Sequence, residues 1–153
     1  MSSIEKLRGV SLAKTEFDYT TQKTNNISNF SAWHNRAMLI PRLLPPTTAP
    51  TFEAERKAFL QKGAQFHIHL LKAELERAHN GLWVDPDDQS TWLYHSWLLG
   101  ETFSLQLQPQ EKPILAPTSD KEKEAVLQSE IQMLEELLQE EPNSKCTLEI
   151  NCY

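Results

Sequence analysis

The sequence predicts an all-α fold, an alpha-alpha superhelix in which helical hairpin repeats stack as a right-handed, tetratricopeptide-like solenoid. Three observations point to it. The 153 residues include only four glycines and no alternating β-branched run. Apolar residues recur at helical spacing along most of the chain. One tryptophan-centred helix pattern occurs twice, each time after a longer amphipathic stretch, and such hairpins bury their apolar faces only by stacking on neighbours.

The first helix is expected from about Leu12 to Asn25, with Ser11 as its N-cap. A second is expected to start at Ser31, capping through its hydroxyl, and places Trp33, Ala37 and Ile40 on one face. Pro41 stands near its end, and Pro45, Pro46 and Pro50 forbid helix beyond it, so Pro45–Thr51 reads as a linker. The clearest helix runs from about Glu53 to Val84. Its predicted stripe is Leu60, Ala64, Ile68, Leu71, Leu75, Ala78 and Leu82, its polar face carries Lys72, Glu76 and Asn80, and Gly63 is a point of weakness.

Asp85-Pro86-Asp87-Asp88 reads as a turn and helix start, because carboxylates meet unpaired amides and the positive dipole end there. A fourth helix follows through Trp92 to about Leu99, with Gly100 as its stop. Glu101–Thr118, with Pro109, Pro113 and Pro117, is expected to be irregular. A fifth helix spans about Lys121 to Glu140 with Leu127, Ile131, Leu134 and Leu138 as its stripe, and Pro142 opens a further helix start. The expected division is thus two repeats over 1–100, an irregular linker over 101–119, and a partial further repeat over 120–153.

Composition excludes several function classes. The formal net charge of -6 argues against nucleic acid, whose phosphates require clustered Lys and Arg. Arg56, Lys57 and Lys72 are instead interleaved with Glu, as on a solvated helix face. No segment approaches the roughly 18 consecutive apolar residues of a membrane span, and Met1–Leu12 holds no signal-peptide core. Cys146 and Cys152 are too few for a disulfide framework, and Cys152 is misplaced for a prenylation box. The expectation is a soluble, cytoplasmic chain with ordinary thiols, in which the sequons at Asn26 and Asn29 stay unmodified.

The internal match is specific. Asn29-Phe30-Ser31-Ala32-Trp33-His34-Asn35-Arg36-Ala37-Met38-Leu39-Ile40 aligns with Asp88-Gln89-Ser90-Thr91-Trp92-Leu93-Tyr94-His95-Ser96-Trp97-Leu98-Leu99. Each has a polar cap, a Ser, a small residue, Trp, a basic or polar side chain three positions on, and an aliphatic end. Trp33, His34, Arg36, Trp92, Tyr94, His95 and Trp97 are the residues assigned to repeat packing or to a partner interface. For His34 and His95 two readings stand, contact with a partner subunit or hydrogen bonding within the repeat. Arg36 is expected to pair with a carboxylate of the next repeat or of a partner. His67 and His69 are two positions apart, point to different sides of a helix, and make a poor metal pair. No metal ligand is named, and the Asp85, Asp87 and Asp88 carboxylates are explained by their turn.

Ser28-Asn29-Phe30-Ser31-Ala32-Trp33-His34-Asn35-Arg36 with Leu39-Ile40-Pro41, and Asp85-Pro86-Asp87-Asp88-Gln89-Ser90 running into Trp92, Tyr94-His95 and Trp97-Leu98-Leu99-Gly100, resemble repeats of the protein prenyltransferase α subunits, of the Rab geranylgeranyltransferase (type-2) kind. Leu71-Lys72-Ala73-Glu74-Leu75-Glu76 is similar to that family's helix before the Asp-Pro turn. Leu127-Gln128-Ser129-Glu130, Leu134-Glu135-Glu136-Leu137 and Glu140-Glu141-Pro142 are similar to its following repeat. The resemblance covers about Leu12 to Leu148. Two departures stand out: Ser96 where the family has Arg, and Cys146 where it has Trp. The family chain is longer at both ends, which implies a fragment or a shortened product, and some members carry an inserted domain where this chain has only Glu101–Thr118.

The resemblance implies an α subunit that wraps a β subunit. Zinc is then expected in the β subunit, where it activates an acceptor cysteine as thiolate. The acceptors are the C-terminal cysteines of Rab GTPases, presented by a Rab escort protein, and the donor is geranylgeranyl diphosphate. The lysine and tyrosine that such α subunits lend to the substrate side have no match here, so no catalytic residue is named and no cofactor is expected on this chain. The alternatives are the α subunit of a farnesyltransferase or type I geranylgeranyltransferase, and a non-catalytic tetratricopeptide-like interaction module. The separation of Trp33 and Trp92 fits poorly with the last, whose repeat is roughly 34 residues.

Overall fold

The structure is a computed structural model that describes residues 3–44, 50–103 and 119–145. Among the described residues five helices follow one another: α1 (Ser3–Lys23), α2 (Phe30–Leu43), α3 (Glu53–Val84), α4 (Gln89–Phe103) and α5 (Asp120–Glu140). Among the described residues there is no strand, and no helix is long and apolar enough to cross a membrane. Most of the expected linkers 45–51 and 101–119, both cysteines and the chain after Lys145 lie outside the described residues.

α1 packs on α2, α3 on α4, and α2 on α4, so two antiparallel hairpins lie against each other. The main core joins Phe17, Trp33, Ile40, Leu71, Leu75, Tyr94 and Leu98 across both hairpins. A second core of Leu82, Trp92, Met133 and Leu137 attaches α5 to the α3–α4 hairpin. Side chains of this size contribute about 1.5–3 kcal/mol each when fully buried, and the shared cores make neighbouring hairpins one cooperative stack.

The turns inside the hairpins are held alike. Trp33 donates its indole N–H to the Ile27 carbonyl at 2.8 Å, and Trp92 donates to Pro86 at 2.6 Å. A buried indole N–H needs an acceptor, and in both repeats the carbonyl of the preceding turn supplies it. The turns also bind one another. Ser28 donates its hydroxyl to the Asp88 carboxylate. Farther along, Ser144 Oγ and the Lys145 backbone N–H donate to Asp87 Oδ1 at 2.9 and 3.1 Å. The turn at 141–144 thus repeats the place of Asp85–Asp88, with a helical residue at Lys145 after it.

Several expected boundaries differ. α1 begins at Ser3, so Ser11 lies inside it and is no cap. The N-cap of α2 is Asn29, whose side chain accepts from the Ala32 N–H at 3.2 Å, and Ser31 sits in the first turn. Asn ranks with Ser as a cap, and here Asn29 stands at the end of the turn that Trp33 holds. Pro41 lies within α2, which ends at Leu43. Leu44, before Pro45, is extended at φ -68 and ψ 146, as the steric clash with a following proline requires. α4 passes Gly100 and continues to Phe103.

Two apolar stripes also differ. Of the expected α3 stripe only Leu71, Leu75, Ala78 and Leu82 are buried, whereas Leu60 is 52% exposed, because the described neighbours meet only the second half of this long helix. In α5 the buried residues are Val126, Glu130, Met133 and Leu137. Leu127 and Ile131 of the expected stripe are 45% and 48% exposed. The buried face is offset by one residue, about 100° around the helix. Glu130 lies on that face, bonded to His79 and His95.

Candidate functional site

Arg36 stands on α2 three residues after Trp33, facing both α1 and α3. Its Nε and Nη2 donate to the two carboxylate oxygens of Glu74, each at 2.6 Å. Nη1 reaches the Phe17 carbonyl at 3.2 Å and the hydroxyls of Thr20 and Thr21 at 3.1 and 2.8 Å. The guanidinium lies 3.7 Å from the centroid of the Phe17 ring. Tyr94, from α4, donates its hydroxyl to Glu74 Oε2 at 2.5 Å. One buried carboxylate therefore ties α2, α3 and α4 together through a bidentate fork and a phenol. Burial, then the charge of Glu74 and its hydrogen bond, hold the Tyr94 hydroxyl well above its usual range, so it remains a donor.

The second hairpin holds a corresponding node. His95 follows Trp92 as Arg36 follows Trp33, His79 precedes Trp92 as Thr20 precedes Trp33, and Glu130 precedes the turn residue Glu141 as Glu74 precedes Asp85. His95 Nε2 donates to Glu130 at 2.7 Å, and His79 Nε2 at 2.9 Å. Trp92 meets the His95 ring edge-on, with centroids 5.8 Å apart. Burial alone would raise the Glu130 pKa. The hydrogen bonds from His79 and His95, aided by their charge, outweigh it and hold the group at about 2.

Beside the first node, α2 and α4 line an apolar groove of about 490 Å³, in which His34 and Met38 stand on one wall at the repeat positions that Leu93 and Trp97 hold on the other. Phe30, Met38 and Leu93 on its walls are 51%, 63% and 56% exposed. His34 stacks on Phe30 and Trp97 on Tyr94, each pair with centroids 6.0 Å apart. Exposed aromatic and aliphatic side chains grouped in this way mark an interaction surface more than isolated ones do.

The seven residues singled out from sequence divide accordingly. Trp33, Arg36, Trp92, Tyr94 and His95 are buried, while His34 is exposed and Trp97 half-buried on the groove. Arg36 meets a carboxylate of the next repeat, and His95 bonds within the chain. Asp85 and Asp88 cap local amides, at 3.1 Å to Asp87 N and 2.9 Å to Ser90 N. Sequence reading missed the roles of Glu74, His79 and Glu130. A signal existed: Glu74 lies in phase with Leu71, Leu75 and Ala78, and Glu130 with Val126, Met133 and Leu137. A charged residue on a buried stripe calls for an internal partner. Among the described residues, His79, His95 and Glu130 also form a group able to hold a metal ion, with ligand atoms within 4.8 Å of one another.

Comparison with known proteins agrees with this geometry. The protein prenyltransferase alpha subunit repeat matches residues 71–102, the second half of α3, the Asp-Pro turn and nearly all of α4. The chain is 35% identical over 146 residues to the geranylgeranyl transferase type-2 subunit alpha of Schizosaccharomyces pombe, covering 95% of this chain and 38% of that protein. The protein of the same name from Rattus norvegicus is 40% identical over 78 residues, 50% of this chain and 12% of the relative. That of Saccharomyces cerevisiae is 35% identical over 101 residues, 65% of this chain and 26% of the relative. The chain thus spans well under half the length of these relatives. No solved structure matches it at a significant level.

Proposed function

The chain belongs to the protein prenyltransferase alpha subunit repeat family, and we propose that it serves as scaffold and subunit interface in the α subunit of a type-2 geranylgeranyl transferase. The observation that carries this reading is the apolar groove between α2 and α4. It is built on a stack in which Arg36 and His95 are held by internal carboxylates. A scaffold that presents a wide apolar face to a partner needs such rigid, interlocked hairpins behind it.

In this reading the groove docks the β subunit. The β subunit binds zinc and geranylgeranyl diphosphate, and the zinc activates a Rab C-terminal cysteine as thiolate. A Rab escort protein presents the acceptor, and the complex works in the cytoplasm. The chain transfers nothing without its partner. The relatives reported above all carry the type-2 name, which supports this reading over a farnesyltransferase or type I enzyme. The repeat match supports it over a tetratricopeptide module.

Co-expression with the β subunit, size exclusion and a transfer assay with Rab and escort protein test the proposal. Co-elution is the expected result. If the chain stays apart while a full-length α subunit co-elutes, the interface role is lost.

A further inference from the structure

The two nodes differ in the cation that faces their carboxylate. In the first, Glu74 is neutralised by the permanently charged guanidinium of Arg36. In the second, Glu130 is equally buried, at 3% side-chain exposure, but faces two imidazoles. Imidazoles carry positive charge only when protonated, and a buried carboxylate without a countercharge is costly. Two imidazole nitrogens and a carboxylate converging on one point are also the donor set of divalent transition metals. We propose that His79, His95 and Glu130 form a binding site for a divalent cation of the zinc class, which stands where the Arg36 guanidinium stands in the preceding repeat.

The geometry supports the site. The three ligand atoms lie within 4.8 Å of one another, and since ligand atoms in a tetrahedral shell with bonds of about 2.0–2.2 Å stand roughly 3.3–3.6 Å apart, the two His–Glu contacts of 2.7 and 2.9 Å would open by roughly half an ångström to admit the ion. Each ring would present an unprotonated Nε2 and carry its hydrogen on Nδ1. His79 is the accessible ligand, with 20% of its side chain exposed. With Glu130 it lines a groove of about 480 Å³ that also holds Glu76 and Ser129. Water from that groove completes a tetrahedral shell. The ion would link α3, α4 and α5, so its role is to lock the third helical layer onto the second.

The test is zinc titration of the full chain at neutral pH against a chromophoric chelator, followed by thermal melts with and without the metal. The expected result is one zinc per chain with a raised melting midpoint. His79→Ala and Glu130→Gln should each weaken binding at least about tenfold, since even outer-shell changes cost that much, while the His67→Ala/His69→Ala double variant should bind as before. Cobalt substitution gives a reading that does not depend on variant folding: visible ligand-field bands without thiolate charge transfer are expected. No binding, undiminished binding in His79→Ala, or thiolate bands that place the ion on Cys146 or Cys152 would each overturn the proposal and leave a hydrogen-bonded triad.

Discussion

Arg36 and His95 occupy the same place in successive repeats, three residues beyond a buried tryptophan, and each reaches a carboxylate on the following helix of the stack. A polar contact set inside the shared apolar core therefore joins each repeat to the next, beside the apolar packing itself. It is specific in register, because a fork or imidazole meets its carboxylate at one rotation of the helix only.

Breaking the first node by removal of one charge should be severe. Arg36→Met leaves Glu74 buried with Tyr94 as its remaining donor, and a loss of about 3–5 kcal/mol is expected in urea unfolding. The Arg36→Met/Glu74→Gln double variant should recover part of that loss, since no lone charge remains. Equal losses in single and double variants would show that packing, not charge, is at stake.

Acid should weaken the second node in a defined window. The folded pKa of Glu130 is lowered from 4.5 to about 2, so its contribution is complete above about 4.5 and fades as pH falls toward 2. His79 and His95 are the titratable groups bonded to it. Urea midpoints of the native chain should drop through this window more steeply than those of Glu130→Gln, and parallel curves would contradict the assignment.

Two glycines in one helix predict opposite outcomes. A Cβ at Gly63 meets nothing within 4 Å, and Gly63→Ala should stabilise by roughly 0.5–1 kcal/mol. At Gly81 a Cβ would lie 2.8 Å from Thr91 Cγ2, in a crossing where α3 nearly touches α4. Gly81→Ala should destabilise by roughly 1–3 kcal/mol, and thermal melts of both variants decide the matter.

Thr91 is fully buried, and among the described residues its hydroxyl has no hydrogen-bond partner. Replacing it with the isosteric valine removes a desolvated polar atom, and Thr91→Val should gain about 1 kcal/mol. A loss of that size would mean that the hydroxyl finds an acceptor in solution.

Leu93 is exposed on the apolar groove. Leu93→Glu should leave the melting midpoint within a degree or two, since surface substitutions fall within about 0.5 kcal/mol. It should nevertheless weaken co-elution with the β subunit. Unchanged co-elution would move the interface to another face.

Much of the architecture was legible because helices are local. The period of α3, the Asp-Pro turn and the paired tryptophans are properties of short segments, read without knowing what lies beside them. The expected start of α1 failed because nothing in residues 3–11 breaks a helix, and capping by Ser11 was a possibility the chain did not need. Gly100 failed as a stop because a glycine ends a helix only when the backbone turns left-handed there.

The node partners were less legible. Glu74 and Glu130 look like surface acids among the many on their helices, and the α5 pattern of Leu127, Ile131, Leu134 and Leu138 is the more apolar stripe. Choosing the neighbouring stripe requires knowing that His79 and His95 wait inside.

The helices, their pairing into hairpins and the repeat that names the family can be read along the chain, since each depends on residues close together in it. Which face of α5 turns inward, which carboxylate meets Arg36, and that His79, His95 and Glu130 converge emerge only when the helices pack. Those outcomes depend on side chains far apart in sequence, because a carboxylate can be buried only where partners from other helices meet it.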